Sequence, residues 1–322
     1  MSVTCMPAAE GAALLRRFGA LMVALSLATG ATSAIAAAAP PAPGNTGPVE
    51  VTDGSGNLIK LPKPASRMVS LSPHVTEMVY VAGAGDRLVG VTKYSDYPPE
   101  AQKLPVIGAL NAVDLDRLLA LNADLVLVWF HGAHMKQMDK IRSLSMPVFF
   151  SNPVTLEQVA ADVERIGVLA STQRVAGAWA DAFRKRQQAM AQKYSNRPPV
   201  RVFYQFWNRP LSTLNRDHVV TQLISLCGGV NVFAQTPSVA PVVNVEAVIA
   251  ANPQAIIVGS VDNRHKEWAD AWKSWRDIEA VRLGNVFSVD SNLQIRSGPR
   301  VLDGAQVICD ALEASRARMA AK

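Results

Sequence analysis

Two stretches of the chain repeat one another in their pattern of apolar and polar positions. Asp114–Val128, DLDRLLALNADLVLV, recurs 130 residues later as Asn244–Val258, NVEAVIAANPQAIIV, without a gap. In each copy the apolar residues first fall at helical spacing, Leu115, Leu118 and Leu119 against Val245, Val248 and Ile249. They then run on unbroken, Leu125–Val128 against Ala255–Val258. That order predicts a helix feeding a short buried strand. The chain therefore carries one structural unit twice.

The same reading extends in both directions. Strands are predicted at 68–71, 88–92, 124–130 and 147–150, separated by helices at 73–82, 114–121 and 134–144; Ser72 stands as the cap and Pro73 at the first helical position. Thr155-Leu156-Glu157-Gln158 reads as a capping box opening a helix to about 170. A longer helix follows, from about 174 to 194, with Val175, Trp179, Phe183 and Met190 along one stripe and a breaker, Asn196-Arg197-Pro198-Pro199, at its end. The alternation then resumes: strands at 200–207 and 211–214, a helix at 219–227, the second copy of the unit, a Trp-rich helical stretch at 266–278, a strand at 286–289 and a final helix at 298–319. Strands alternating with helices predict an α/β fold. The expected architecture is two similar lobes with central, mainly parallel sheets, 66–172 and 197–322, joined by one long linker helix at 173–196.

The first residues change the picture of where this fold resides. Arg16-Arg17, the apolar stretch 20–28 and Ala34-Ile35-Ala36 match a secretory signal peptide, expected to span residues 1–36 and to be cleaved. Residues 37–65 are expected to be a flexible leader running into the first lobe, Pro/Ala-rich as far as Gly47. Removal of Glu10, Arg16 and Arg17 lowers the formal net charge from +6 to +5, a mild excess. The densest basic group, Arg184-Lys185-Arg186, sits in a helical pattern without interleaved aromatics, so a solvated face is expected and no nucleic-acid partner. Cleavage leaves Cys227 and Cys309, an even count in an oxidising compartment. One disulfide or two buried thiols both fit, and the compartment favours the disulfide.

No catalytic constellation emerges: phosphate loop, nucleophile elbow and CxxC are absent from the sequence, and the histidines are dispersed apart from His131 and His134. A binding protein is therefore expected over an enzyme, with a metal-dependent hydrolase built on His131 and His134 the contrasting possibility. Aromatic residues instead gather at strand ends and adjoining loops, where open α/β sheets place ligands: Tyr94 and Tyr97, Trp129 and Phe130, Phe206 and Trp207. Arg296, just ahead of the last helix, suits a polar or acidic ligand edge. Asp116 and Glu246 hold the same place in the two repeat copies. They read either as ordinary first-turn carboxylates or as a matched functional pair.

In order and spacing, SLSPHVTEMVYVAGAGDRLVGV, YSDYPPEAQ, DLDRLLALNADLVLVW, FYQFWNRP, LCGGVNVF, NVEAVIAANPQAII and RSGPRVLDGAQVICDAL resemble the cobalamin-binding group of periplasmic substrate-binding proteins of bacterial ABC importers. These belong to a wider family with a helical backbone between lobes that also serves haem and ferric siderophores; the resemblance covers about 66–318. It implies a monomeric periplasmic protein without a cofactor that holds cobalamin or a related corrinoid between its lobes. Tyr94, Trp129 and Phe206 would contact the ligand, Arg296 and Asn292 would meet its amide edge, and Trp207 would add ring surface. Asp116 and Glu246 match the acidic pair that docks onto arginines of the permease, a peripheral contact at the membrane, and Cys227 and Cys309 match a disulfide. Two pocket tryptophans of the group fall here at Leu110 and Ala240, which keeps a haem or siderophore ligand, with Tyr94 or His74 on haem iron, as the alternative.

Overall fold

The computed structural model describes residues 46–109, 112–130, 135–260 and 266–321. The expected signal peptide, the leader up to residue 45, His131, His134 and Leu110 lie outside them. Residues 49–61, expected to belong to the leader, form a β-hairpin, β1 (Val49–Thr52) and β2 (Leu58–Leu61). Its alternate residues Val49, Val51, Ile59 and Leu61 are buried against the main core, which fixes this stretch in place.

The first half contributes β3 (Met68–Ser70), α1 (Pro73–Val81), β4 (Leu88–Val91), a two-residue ladder of β5 (Gly108–Ala109) with β6 (Ala112–Val113), then α2 (Leu115–Ala120), β7 (Leu125–Trp129), α3 (Met135–Ser143), β8 (Val148–Ser151) and α4 (Leu156–Leu169). After α5 (Gln173–Tyr194) the second half gives β9 (Val200–Gln205), the hairpin β10 (Trp207–Asn208) and β11 (Leu211–Ser212), α6 (Val219–Leu226), β12 (Gly229–Asn231), α7 (Val245–Ala251), β13 (Ala255–Ser260), α8 (Lys266–Ala271), α9 (Glu279–Arg282), β14 (Val286–Asp290) and α10 (Val301–Ala320). The two main sheets have matching orders, β4-β3-β7-β8 and β12-β9-β13-β14, and every pairing in them is parallel. The expected α/β fold of two similar, mainly parallel lobes is what the chain adopts.

Both faces of each sheet are covered, which is why the strands read as continuous apolar runs. Leu125, Leu127, Ala255 and Ile257 face a common inner core, whereas Val126, Val128, Ile256 and Val258 face two separate outer ones. The inner core is one cluster: it joins Met78 of α1, Val163 and Ile166 of α4, Phe183 and Met190 of α5, Leu223 of α6 and Ile308 and Leu312 of α10. At roughly 1.5–3 kcal/mol for each large aliphatic or aromatic side chain buried, this shared cluster is a principal source of cohesion between the halves.

Helix α5 packs against α1 and α4 on one side and α6 on the other. Its buried stripe is Ala176, Ala180, Phe183, Met190 and Tyr194, not the stripe expected through Val175, which is 42% exposed, and Trp179, which is half-buried and stacks on Phe183. Small residues on this face let α4 and α5 meet closely at Gly167 and Ala176, a contact that volume-blind periodicity does not register. The two arginines of the basic group on α5 form intramolecular ion pairs: Arg184 donates to Glu157 and Glu164 on α4, and Arg186 to Asp303 on α10. Cys227 and Cys309 form a disulfide that ties the end of α6 to α10.

Candidate functional site

Strand β7 ends in Trp129 and strand β9 runs into Phe206, and the two rings wall a single cavity of about 240 Å³. Leu214, Val219 and Val239 complete its apolar side, while Asp217, His218 and Ser297 supply polar edges. A mostly apolar hollow with a few polar groups suits a flat, amphipathic ligand. A wider depression of about 640 Å³ lies against β2 and β8, but it is lined by Lys60, Arg142 and Ser145 without an aromatic face or any residue of the second half. The cavity between the halves is the better candidate. Ala240 is on its wall, at the position where the family resemblance places a tryptophan, so added room replaces ring surface there.

Of the expected ligand contacts, the structure brings Trp129 and Phe206 together in this cavity and places four elsewhere. Trp207 turns the other way: successive strand residues point to opposite faces, so Phe206 and Trp207 cannot both enter the cavity. The Trp207 ring instead stands edge-on to Trp268, with centroids 5.4 Å apart. Asn292 lies in a short turn after β14, where its amide N–H donates to the Asp290 carboxylate at 3.0 Å. Tyr94 is 76% exposed on the loop after β4 and adopts φ +69°, a left-handed conformation that costs a bulky residue energy. That loop is pinned to α1 by Thr76 Oγ1, which donates to Ser95 Oγ at 3.2 Å.

Arg296 reaches back toward the first half. Its Nη1 lies 3.4 Å from Asp96 Oδ1 and 3.9 Å from Glu77 Oε1, and the side chain is 18% exposed. The neighbouring Arg300 grips Glu77 in a fork, Nε to Oε2 at 2.9 Å and Nη2 to Oε1 at 2.7 Å, and lies 4.0 Å over the Tyr97 ring. Glu77 is buried on α1, and two hydrogen bonds from one guanidinium hold it better than a point charge could. Gly298 between these arginines abuts His74, where a Cβ would come within 2.9 Å of the histidine Cβ.

His74 was not among the expected contacts beyond the haem alternative. Expected as a helix cap, Ser72 holds the N-cap place, but its hydroxyl lies 2.9 Å from His74 Nδ1 and makes no capping bond. The imidazole is buried edge-on to Trp129 with its Nε2 unpartnered among the described residues. Burial, with the positive charge of Arg296 adding to it, lowers its pKa to about 3, so the ring is neutral at ordinary pH. Glu77, Arg300, Asp217, His218 and Ser297 were also missed. Their spacing in sequence carries no period, and only the juxtaposition of the halves collects them.

Asp116 and Glu246 lie in the first turns of α2 and α7, both exposed and without an ion pair among the described residues. The helices are capped alike, Asp114 accepting from the Arg117 amide and Asn244 from the Ala247 amide.

Two lobes of parallel sheet enclosing an aromatic cavity at their strand ends define a solute-binding protein of the bilobed type. Residues 68–293 match the periplasmic binding protein family, and the chain belongs to it. That family comprises binding proteins, not enzymes. The chain is 34% identical over 260 residues to the vitamin B12-binding protein of Vibrio cholerae, covering 80% of this chain and 92% of that one. It is 33% identical to the corresponding protein of Yersinia pestis, over 79% of this chain and 89% of the relative. The crystal structure of the periplasmic vitamin B12 binding protein BtuF of Vibrio cholerae superposes with a TM-score of 0.72, at 33% identity, over 79% of this chain and 98% of that one. The periplasmic haem binding protein HutB of Vibrio cholerae shares the fold, with a TM-score of 0.68 at 22% identity over 76% of this chain and 98% of its own.

Proposed function

We propose that this protein captures cobalamin or a related corrinoid in the periplasm and delivers it to the permease subunits of an ABC importer. The observation that carries the reading is the pairing of Trp129 and Phe206, one ring from each half, across a single cavity. Relatives at 33–34% identity named for vitamin B12 support the choice of ligand. The cavity is smaller than the roughly 300–1,000 Å³ usual for drug-sized ligands, so it takes one edge of a corrinoid. The rest of the ring lies toward the exposed Tyr94 loop and Arg296, with Asn292 near its amide fringe. The signal peptide at 1–36 directs the chain to the periplasm, and lobes at 66–172 and 197–322 hold the ligand as a monomer. Outward-facing Asp116 and Glu246 meet basic residues of the permease, one on each lobe.

Equilibrium dialysis of the mature chain against cyanocobalamin tests the ligand. Saturable binding at micromolar concentration or below is expected, and its absence overturns the corrinoid assignment; a Soret band on adding hemin would then point to haem. Asp116→Arg with Glu246→Arg tests docking: vitamin uptake by cells should be lost with cyanocobalamin affinity unchanged. A fall in affinity would place the pair in the ligand cleft and refute the docking role.

A further inference from the structure

The contacts across the halves beside the cavity are unevenly distributed in charge. Both acids, Glu77 and Asp96, belong to the first half, and both cations, Arg296 and Arg300, to the second. Arg300 is held by two hydrogen bonds of 2.9 and 2.7 Å to Glu77 and by its seat over Tyr97. Arg296 is held more loosely: its one hydrogen bond among the described residues is the long contact of 3.4 Å to Asp96, although the side chain is 18% exposed and so largely withdrawn from water. A guanidinium has five N–H donors in a rigid fork, and one so little exposed, with most of them unspent, is aimed at an acceptor still to arrive. Arg296 directly precedes Ser297, which lines the cavity.

We propose that Glu77 is a positioning residue for ligand capture: through its Oε1, shared between Arg300 at 2.7 Å and Arg296 at 3.9 Å, it holds the Arg296 guanidinium at the cavity edge with free donors presented to a carbonyl, carboxylate or phosphate oxygen of the ligand. Glu77 itself touches no ligand, being buried beneath the arginines. The Arg300 fork takes both oxygens of the carboxylate, leaving the longer Arg296 contact to the shared Oε1. Gly298 permits the approach, because any side chain there would press on His74 and lift the arginine-bearing segment away from α1. Asp96, exposed, is the temporary acceptor that the ligand replaces. This inference rests on the ligand contact proposed above for Arg296.

The experiment uses the mature chain and reads two things. Arginine side-chain 15N NMR reports how firmly the Arg296 Nε–H is ordered without any ligand, and cyanocobalamin titration reports affinity. Glu77→Gln should loosen the Arg296 signal and weaken affinity about tenfold. Arg300→Gln removes the other side of the ion pair but leaves Glu77 free to take Arg296, so the signal should stay ordered and affinity should change less than threefold, whatever the loss in melting temperature. Glu77→Asp should restore part of the affinity, and it provides the reading if Glu77→Gln folds poorly. Equal losses of affinity in Glu77→Gln and Arg300→Gln, tracking melting temperature, would show mere cohesion and overturn the proposal. An Arg296 signal that Glu77→Gln leaves unchanged would overturn it too. If the unsubstituted chain fails to bind cyanocobalamin, the corrinoid reading falls, and the NMR comparison still decides the role of Glu77.

Discussion

The two halves solve one local problem in the same way and then diverge at the strand ends. In the first, Asn122 follows α2 with φ +48°; in the second, Asn252 follows α7 with φ +40°, the left-handed conformation that asparagine tolerates best among residues with a side chain. Arg67 donates two hydrogen bonds to the Leu121 carbonyl behind α2, and Arg201 donates two to the Asn252 carbonyl behind α7. Asp124 and Gln254 then bind the backbone of the neighbouring strand from matching places. At the next step the copies part. Trp129 closes β7, whereas the matching residue of β13 is Gly259, where a Cβ would meet the Tyr204 hydroxyl at 2.8 Å. The second half supplies its aromatic from Phe206, after β9, while the matching position after β3 is Ser72, which turns at once into α1. The two halves share their scaffold, and the candidate cavity lies where they cease to match.

The disulfide offers the largest way to break the symmetry, since among the described residues only the second half has one. Cys227→Ala with Cys309→Ala opens a loop closed over a separation of 82 residues and should cost about 4 kcal/mol by chain entropy. Denaturant unfolding followed by hydrogen exchange should show protection falling first in α6 and α10, and uniform loss in both halves would contradict this. Acid tests His74, for which the matching loop after β9 has no counterpart. Its folded pKa, about 3, lies below the unfolded value of about 6.5. The neutral ring thus favours the folded state fully above pH 6.5, and that stability is lost as pH falls toward 3, at a slope of up to about 1.4 kcal/mol per pH unit. Melting temperatures of His74→Gln should therefore fall less steeply with acid than those of the parent.

Gly259→Ala sharpens the contrast at the strand ends. Crowding the Tyr204 hydroxyl should cost about 1–3 kcal/mol in melting experiments without weakening cyanocobalamin binding, whereas Trp129→Ala should weaken binding at least tenfold. The smallest effects belong to the matched caps. Asp114→Ala and Asn244→Ala should each cost about 1 kcal/mol, nearly the same in both halves.

Much of this was legible in sequence because the signals were local. Helical spacing in DLDRLLAL and the apolar runs after it mark elements whose faces are set by neighbours in the chain, and Thr155 and Gln158 announced a cap that both side chains make. Trp129 and Phe206 were singled out because strand ends are where such folds place ligands, and the two rings line one cavity. Trp207 misled because pleat alternation, not residue type, decides which of two adjacent rings faces the cavity. Glu77 and Arg300 were invisible because 223 positions separate two side chains that end 2.7 Å apart. The hairpin at 49–61 escaped because its alternation is short and lies beside a low-complexity leader.

The inner core that runs unbroken from α1 through α5 to α10 makes the molecule a stiff spring. Wide opening would tear a shared apolar cluster, so this core resists separation of the halves. If Asp116 and Glu246 dock on a permease as proposed, the two exposed acidic helices are the handles by which it would pull such a core apart.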